Sequence, residues 1–154
     1  MVFLVRHAKA GHRPADLSND RLRPLTESGW QQANALAVSL SEAVAVGPLL
    51  SSPFLRCMQT LEPLADRLGI PVVADDRLAE NKSTKAMLDL MNDLPDGAVM
   101  CSHGDMIRDA IQALQRRGCE VVTAPHWKKA SVWVLDRDGS GQFETASAWP
   151  PPKE

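Results

Sequence analysis

The chain has 154 residues, of which 44% are hydrophobic and 23% charged, the composition of one globular domain long enough to bury roughly 70% of its unfolded surface. Seventeen basic against nineteen acidic residues leave a net charge of −2, so no electrostatic case arises for nucleic acid or a membrane surface as partner. Three cysteines without CxxC or Cys/His spacing fit neither a disulfide framework nor a zinc site, and no apolar run reaches the ~18 residues of a membrane span, so the expectation is a cytoplasmic protein without signal peptide or transmembrane helix.

Val2-Phe3-Leu4-Val5 reads as a strand buried on both faces. Arg6 and His7 follow directly, where a parallel strand would deliver polar groups into a crevice. A long polar segment over residues 8–25 comes next and is suspect as a functional segment because of its length. Thr26 caps a helix that carries Trp30, Ala33, Leu36, Ala37 and Leu40 at helical spacing. Leu49-Leu50-Ser51-Ser52 is a second strand end. Pro53 opens a helix that Gly69 stops, with Pro63 expected to kink or break it.

Residues 70–74 predict a third strand, residues 75–81 a loop, and residues 84–92 a helix. Ala98-Val99-Met100-Cys101 is a fourth strand that ends at Ser102-His103-Gly104. Residues 106–117 form an amphipathic helix closed by Gly118. Residues 131–135 and 142–146 predict a hairpin around Asp138-Gly139. The alternation predicts an α/β three-layer sandwich, a mostly parallel central sheet with helices on both faces and a C-terminal hairpin. One domain is expected over residues 1–149, with residues 150–154 a flexible proline-rich tail.

In such a sheet the carboxyl ends of the parallel strands share one edge, so Arg6-His7, Ser51-Ser52 with Arg56, and Ser102-His103-Gly104 converge. Two guanidinium groups recognise a small dianion, phosphate above all. A neutral imidazole can attack phosphorus and form a covalent intermediate, while a second, protonated histidine holds another phosphoryl oxygen. Arginines supply the charge neutralisation, so this chemistry needs no metal.

Four blocks carry a family resemblance: Leu4-Val5-Arg6-His7-Ala8; Arg23-Pro24-Leu25-Thr26-Glu27-Ser28-Gly29 with Gln32-Ala33; Ser51-Ser52-Pro53 with Arg56 and Gln59-Thr60; and Ser102-His103-Gly104. In this order, from Val2 to about Leu135, they resemble the histidine phosphatase superfamily, also called phosphoglycerate mutase-like. The resemblance implies that His7 is the phosphorylated histidine, Arg6 and Arg56 the phosphate-binding arginines, and His103 the second pocket histidine. Arg23 resembles a residue near the phosphate in small bacterial members. Ala8 departs from the usual Arg-His-Gly signature. The same departure occurs in short members that resemble phosphohistidine phosphatases and in the phosphatase-like domain attached to some bacterial Nudix hydrolases.

Two carboxylates are candidates for the proton donor. Glu80 matches the family's position in the loop after the third strand, and Asp105 lies two residues past His103, where it also suits the first turn of a helix. Gln32 reads as a helix-surface residue, His12 and His126 as exposed polar residues, and the four tryptophans as packing. Cys57, next to Arg56, is a candidate oxidation-sensitive thiol.

Rival signatures fail. Cys101 and Arg108 are seven positions apart where a cysteine phosphatase needs six. Asp136-Arg137-Asp138-Gly139-Ser140 resembles the aspartate-nucleophile motif of haloacid-dehalogenase-like phosphatases, but only 14 residues follow it, and it reads as a turn. The expected function is thus metal-independent phosphatase chemistry through His7. The substrate is a phosphohistidine-bearing protein or a small phosphate monoester, and no cofactor is implied. The rival of another class is a non-catalytic or regulatory phosphate-binding domain that partners a separate hydrolase.

Overall fold

A computed structural model describes residues 1–43 and 47–153. Seven strands form one sheet: β1 (Val2–Arg6), β2 (Leu49–Ser51), β3 (Val72–Ala74), β4 (Val99–Ser102), β5 (Glu120–Val121), β6 (Val132–Arg137) and β7 (Phe143–Trp149). Their order is β3-β2-β4-β1-β6-β7-β5. The first four in that order run parallel, β6 is antiparallel to both β1 and β7, and β5 pairs parallel to β7 at the far edge. Four α-helices cover the faces: α1 (Glu27–Ala43), α2 (Leu55–Leu68), α3 (Thr84–Asp93) and α4 (Gly104–Arg116). The expected α/β three-layer architecture is what the chain adopts.

Strand alternation decides which helix packs where. Phe3 and Val5 of β1 point to one face, where they join Leu36 and Leu40 of α1 and Leu61 and Leu64 of α2. Val2 and Leu4 point to the other, among Met87 and Met91 of α3 and Ile107 and Ile111 of α4. Residues 2–5 are fully buried, as expected for a central strand sandwiched on both sides.

Several local expectations change. Helix α2 runs unbroken through Pro63. Proline removes one ladder hydrogen bond, but the helix is anchored on both sides of it by the buried Leu61, Leu64 and Ala65. The third strand is shorter than expected and begins at Val72, because Pro71 has no N–H for the ladder. Helix α4 starts two residues early, at Gly104, with His103 as its cap residue. The turn reading of the aspartate motif agrees with the structure. Asp138 Oδ1 accepts the N–H groups of Ser140 at 2.8 Å and Gln142 at 3.1 Å inside the β6–β7 hairpin. Pro151 and Pro152 are half-buried and lie against the cleft described below. Glu154, the last residue of the expected tail, lies outside the described residues.

Candidate active site

The register of the parallel strands sets the site. Arg6 stands opposite Ser102, and Ser51 opposite Cys101, so His7, Ser52 and His103 emerge together at the carboxyl edge. The His7 N–H donates to the Ser102 carbonyl at 3.1 Å, and the Ser52 N–H to the Cys101 carbonyl at 2.9 Å. The rings of His7 and His103 lie 5.6 Å apart, edge to face. A cleft of about 1330 Å³ opens at His7, lined by Arg6, Arg23, Glu80 and Asp105 among others.

His7 is almost entirely buried, and its Nδ1 lies 2.8 Å from the Ala8 carbonyl oxygen. A carbonyl only accepts, so Nδ1 carries the proton and Nε2 keeps its lone pair. Burial pushes the imidazole pKa down to about 3. The Ala8 hydrogen bond opposes this, and the charges of Arg56, Arg6 and Lys129 reinforce it. At neutral pH His7 is a neutral imidazole with one available nitrogen.

His103 is equally buried, and its pKa falls to about 2 through burial, His7, Arg56, Arg23 and Arg6. The expectation of a protonated second histidine does not fit these surroundings. Its Nε2 lies 2.8 Å from Ser52 Oγ and 3.7 Å from Cys57 Sγ. The Ser52 hydroxyl can donate to Nε2, and the Glu80 carboxylate 3.4 Å from Nδ1 favours a proton on that nitrogen, which leaves Nε2 the acceptor and Nδ1–H a neutral donor.

The arginines occupy different depths. The Arg6 Nη1 group donates to the Trp127 carbonyl at 2.5 Å. Gly104 leaves room for its guanidinium, because a Cβ there would come within 2.8 Å of Cζ. Asp105, in the first turn of α4, favours the charged form of Arg6 against the burial that opposes it. Arg56 is completely buried. Its Nη2 meets Asp20 Oδ2 and Glu80 Oε1, both at 3.1 Å, and its Nη1 donates to the Asp20 carbonyl at 2.9 Å. Arg23 donates from Nε to Asp20 Oδ1 at 3.1 Å and from Nη1 to the Gly11 carbonyl at 2.6 Å.

Glu80 faces the cleft. The Ser102 hydroxyl donates to the Leu78 carbonyl at 2.6 Å and pins the loop before Glu80 to the end of β4. Besides Arg56, Glu80 Oε1 approaches Arg13 Nη2 and His103 Nδ1, both at 3.4 Å. Because His103 is neutral, the last contact is not an ion pair.

Four buried side-chain nitrogen or oxygen atoms lack a hydrogen-bond partner among the described residues. Three are Arg6 Nε, Arg56 Nε and His103 Nδ1, donors from β1, α2 and the start of α4. Buried donors are rarely left unmet, and here three belong to residues already assigned to one pocket. Such a set suits an oxyanion, and no metal-binding cluster of His, Cys, Asp and Glu occurs among the described residues.

Sequence reasoning missed Asp20, which is buried. Its burial raises the carboxyl pKa, but Arg56 and Arg23 more than offset this and hold it below the ordinary value. Gln32 is buried rather than on the helix surface, and its Oε1 accepts the Lys9 N–H at 3.0 Å. Thr60 accepts the Ala8 N–H at 3.0 Å and donates to the Arg56 carbonyl at 2.7 Å, tying α2 to the residue after His7. Gln32 and Thr60 stood in the quoted blocks; Asp20 had only the length of its loop to mark it. His12 is exposed at the cleft, whereas Cys57 is buried.

Comparison with known proteins agrees with the fold. The family described as "Histidine phosphatase superfamily (branch 1)" matches residues 2–86, and the chain belongs to that family. Among curated proteins it is 31% identical to an 8-oxo-(d)GTP phosphatase of Mycolicibacterium smegmatis, over 99% of this chain and 49% of the relative. It is 39% identical to the phosphohistidine phosphatase SixA of Escherichia coli, over 48% of this chain and 45% of the relative. The chain thus spans about half the length of these two curated relatives. Among solved structures, the protein histidine phosphatase SixA complexed with tungstate superposes with a TM-score of 0.74 at 25% identity, covering 96% of this chain and 93% of that one. Among the described residues no helix is long and apolar enough to cross a membrane.

Proposed function

We propose that the chain is a metal-independent phosphatase that works through a covalent phosphohistidine on His7, within one domain over residues 1–149 of a cytoplasmic protein. One observation carries the reading: a neutral imidazole with Nε2 available stands beside three unpaired buried donors from Arg6, Arg56 and His103. In this reading Nε2 forms a bond to phosphorus while the bond from phosphorus to the leaving atom breaks, an oxygen in a phosphate ester or a nitrogen in a phosphohistidine. Arg6, Arg56 and His103 bind the equatorial oxygens as charge redistributes. Glu80 gives the leaving atom its proton, then takes one from the water that cleaves the bond between His7 Nε2 and phosphorus. Arg23 contributes charge at the rim, and Asp105 serves the helix end and Arg6. The substrate is a phosphohistidine-bearing protein or a small phosphorylated molecule. The names of the two curated relatives support both options, one a phosphohistidine phosphatase and the other a nucleotide phosphatase.

The test is turnover of an aryl phosphate and of a phosphohistidine-labelled protein with chelator present, wild type beside His7→Ala. The expected result is a loss of at least ~10³-fold in the variant and an acid-labile phosphoryl label on the quenched wild type. A folded wild type that binds phosphate and turns over neither substrate would establish the non-catalytic reading instead.

A further inference from the structure

The cleft is more basic than one phosphoryl group requires. Arg6, Lys9, Arg13, Arg23, Lys128 and Lys129 line it against two carboxylates, Glu80 and Asp105, in a chain whose overall charge is negative. Arg13 and Arg23 already pair with Asp20 or Glu80, and Arg6 faces the phosphoryl position. Lys128 and Lys129 are different, since neither has a carboxylate within ion-pair distance among the described residues.

Their placement is fixed by the backbone. The Ala130 N–H reaches the carbonyls of both Arg6 and His7 at 3.1 Å, the Arg6 N–H donates to the Ser131 carbonyl at 3.0 Å, and the Ser131 N–H to that of Lys128 at 3.0 Å. With the Arg6–Trp127 bond, residues 127–131 are clamped to the strand end that carries the nucleophile. Ala130 is fully buried with φ of 67°, left-handed backbone that a residue with a Cβ seldom adopts. That turn is held at a conformational cost, and two lysines are what it presents at the cleft. Burial and the surrounding Arg6, Arg23, Arg56 and Lys9 lower the pKa of Lys129, so the local field is not neutralised from within. Among the described residues the lining is dominated by cationic side chains.

We propose that Lys128 and Lys129 form a second anion subsite, and that the substrate is a phosphoanhydride whose penultimate phosphoryl group lies against them. The proposal rests on the reading of His7, Arg6, Arg56 and His103 as the phosphoryl pocket. His7 Nε2 bonds to the terminal phosphorus, the bridging P–O bond breaks, and its electron pair leaves on the shortened phosphate. Water then adds its hydroxyl to the bound phosphoryl group, its proton goes to Glu80, the N–P bond breaks, and orthophosphate is released.

Binding tests the subsite without turnover. Calorimetry on His7→Ala compares inorganic pyrophosphate with orthophosphate, and pyrophosphate is expected to bind at least ~10-fold more tightly. Adding Lys128→Gln and Lys129→Gln should cut that preference to under ~3-fold, while Lys128→Arg with Lys129→Arg keeps it. Arg116→Gln with Arg117→Gln, two exposed cations at the end of α4 away from Gly104, controls for the same loss of charge and should not change it. Equal binding of the two anions, or a preference that survives the glutamine pair, overturns the proposal. Binding of neither anion overturns the phosphoryl-pocket reading with it. A pyrophosphate preference in a protein that turns over nothing keeps the subsite and removes only the catalytic reading. In the wild type, similar rates on inorganic tripolyphosphate and on nucleoside triphosphates support recognition by the phosphate chain alone. Faster turnover of a phosphohistidine-labelled protein, with no pyrophosphate preference, overturns the subsite in favour of a protein substrate.

Discussion

The carboxyl edge of the sheet and the segment over residues 8–25 build the same cleft by different physics. At the sheet edge, backbone ladders between buried strands place Arg6, His7 and His103, so their positions follow from hydrophobic burial rather than from side-chain pairing. The segment over residues 8–25 pairs with itself through one isolated bridge, Ala10 to Leu25. Backbone bonds from Gly11 to Pro24 and from Thr26 to Lys9 and the buried Ala8 and Leu25 add to it, and polar side chains tie down the rest: Gln32 on Lys9, Gln59 on Leu25, and Asp20 on Arg23 and Arg56. The first region is rigid because its backbone has no alternative. The second depends far more on its charges and amides staying paired.

That contrast can be broken, and the largest effect is expected at Asp20. Asp20→Ala leaves the fully buried Arg56 with Glu80 as its one remaining carboxylate. The cost is about 2–3 kcal/mol, below the usual loss on breaking a buried pair because that partner remains. A shift in denaturant midpoint at unchanged slope is the readout. A loss under about 0.5 kcal/mol would mean that the segment does not depend on this pair.

The sheet edge is probed by acid. Both histidines have folded-state pKa values far below the ordinary 6.5, about 3 for His7 and about 2 for His103. Below pH 6.5 the unfolded chain therefore binds protons that the folded chain does not. Stability should fall as pH drops from there towards those values. Each histidine contributes at most about a tenfold change in the unfolding constant per pH unit. Between about pH 4.5 and 6, above the usual carboxylate range, His7→Asn should flatten this slope by up to one proton. An unchanged slope would show that His7 is protonated in the folded protein.

The smallest effect on stability is expected at Gly104. A Cβ there meets the flexible end of Arg6 rather than backbone, so Gly104→Ala should change stability by less than about 1 kcal/mol. Turnover of an aryl phosphate should nevertheless fall about tenfold, since the guanidinium must shift. Equal rates would show that Arg6 tolerates displacement.

What the sequence revealed divides along the same line. The runs Val2–Val5 and Ala98–Cys101 are legible because burial on both faces demands apolar residues in sequence. Arg6, His7 and His103 are legible because they end those runs. Asp20 is illegible because its partner Arg56 lies 36 residues away, and an acidic residue in a polar loop looks the same paired or solvated. Gln32 falls on the buried side of α1, where a polar side chain breaks the apolar pattern, and its partner is a backbone N–H that no composition reveals. The lowered pKa of His103 is illegible because burial depends on the whole fold, not on neighbouring letters. The shortened third strand could have been anticipated from Pro71 alone.

The pairing of Arg6 with the Trp127 carbonyl has a practical consequence. The Trp127 ring packs against Trp133 at 5.0 Å between centroids and carries Arg108 over its face at 4.7 Å. The chain contains no tyrosine and only four tryptophans, so its near-ultraviolet signal belongs to a handful of indoles. One of them is covalently continuous with the carbonyl that Arg6 grips. An anion that draws on Arg6 would alter the surroundings of that indole, and the protein thus has an intrinsic optical probe one residue from its lysine pair.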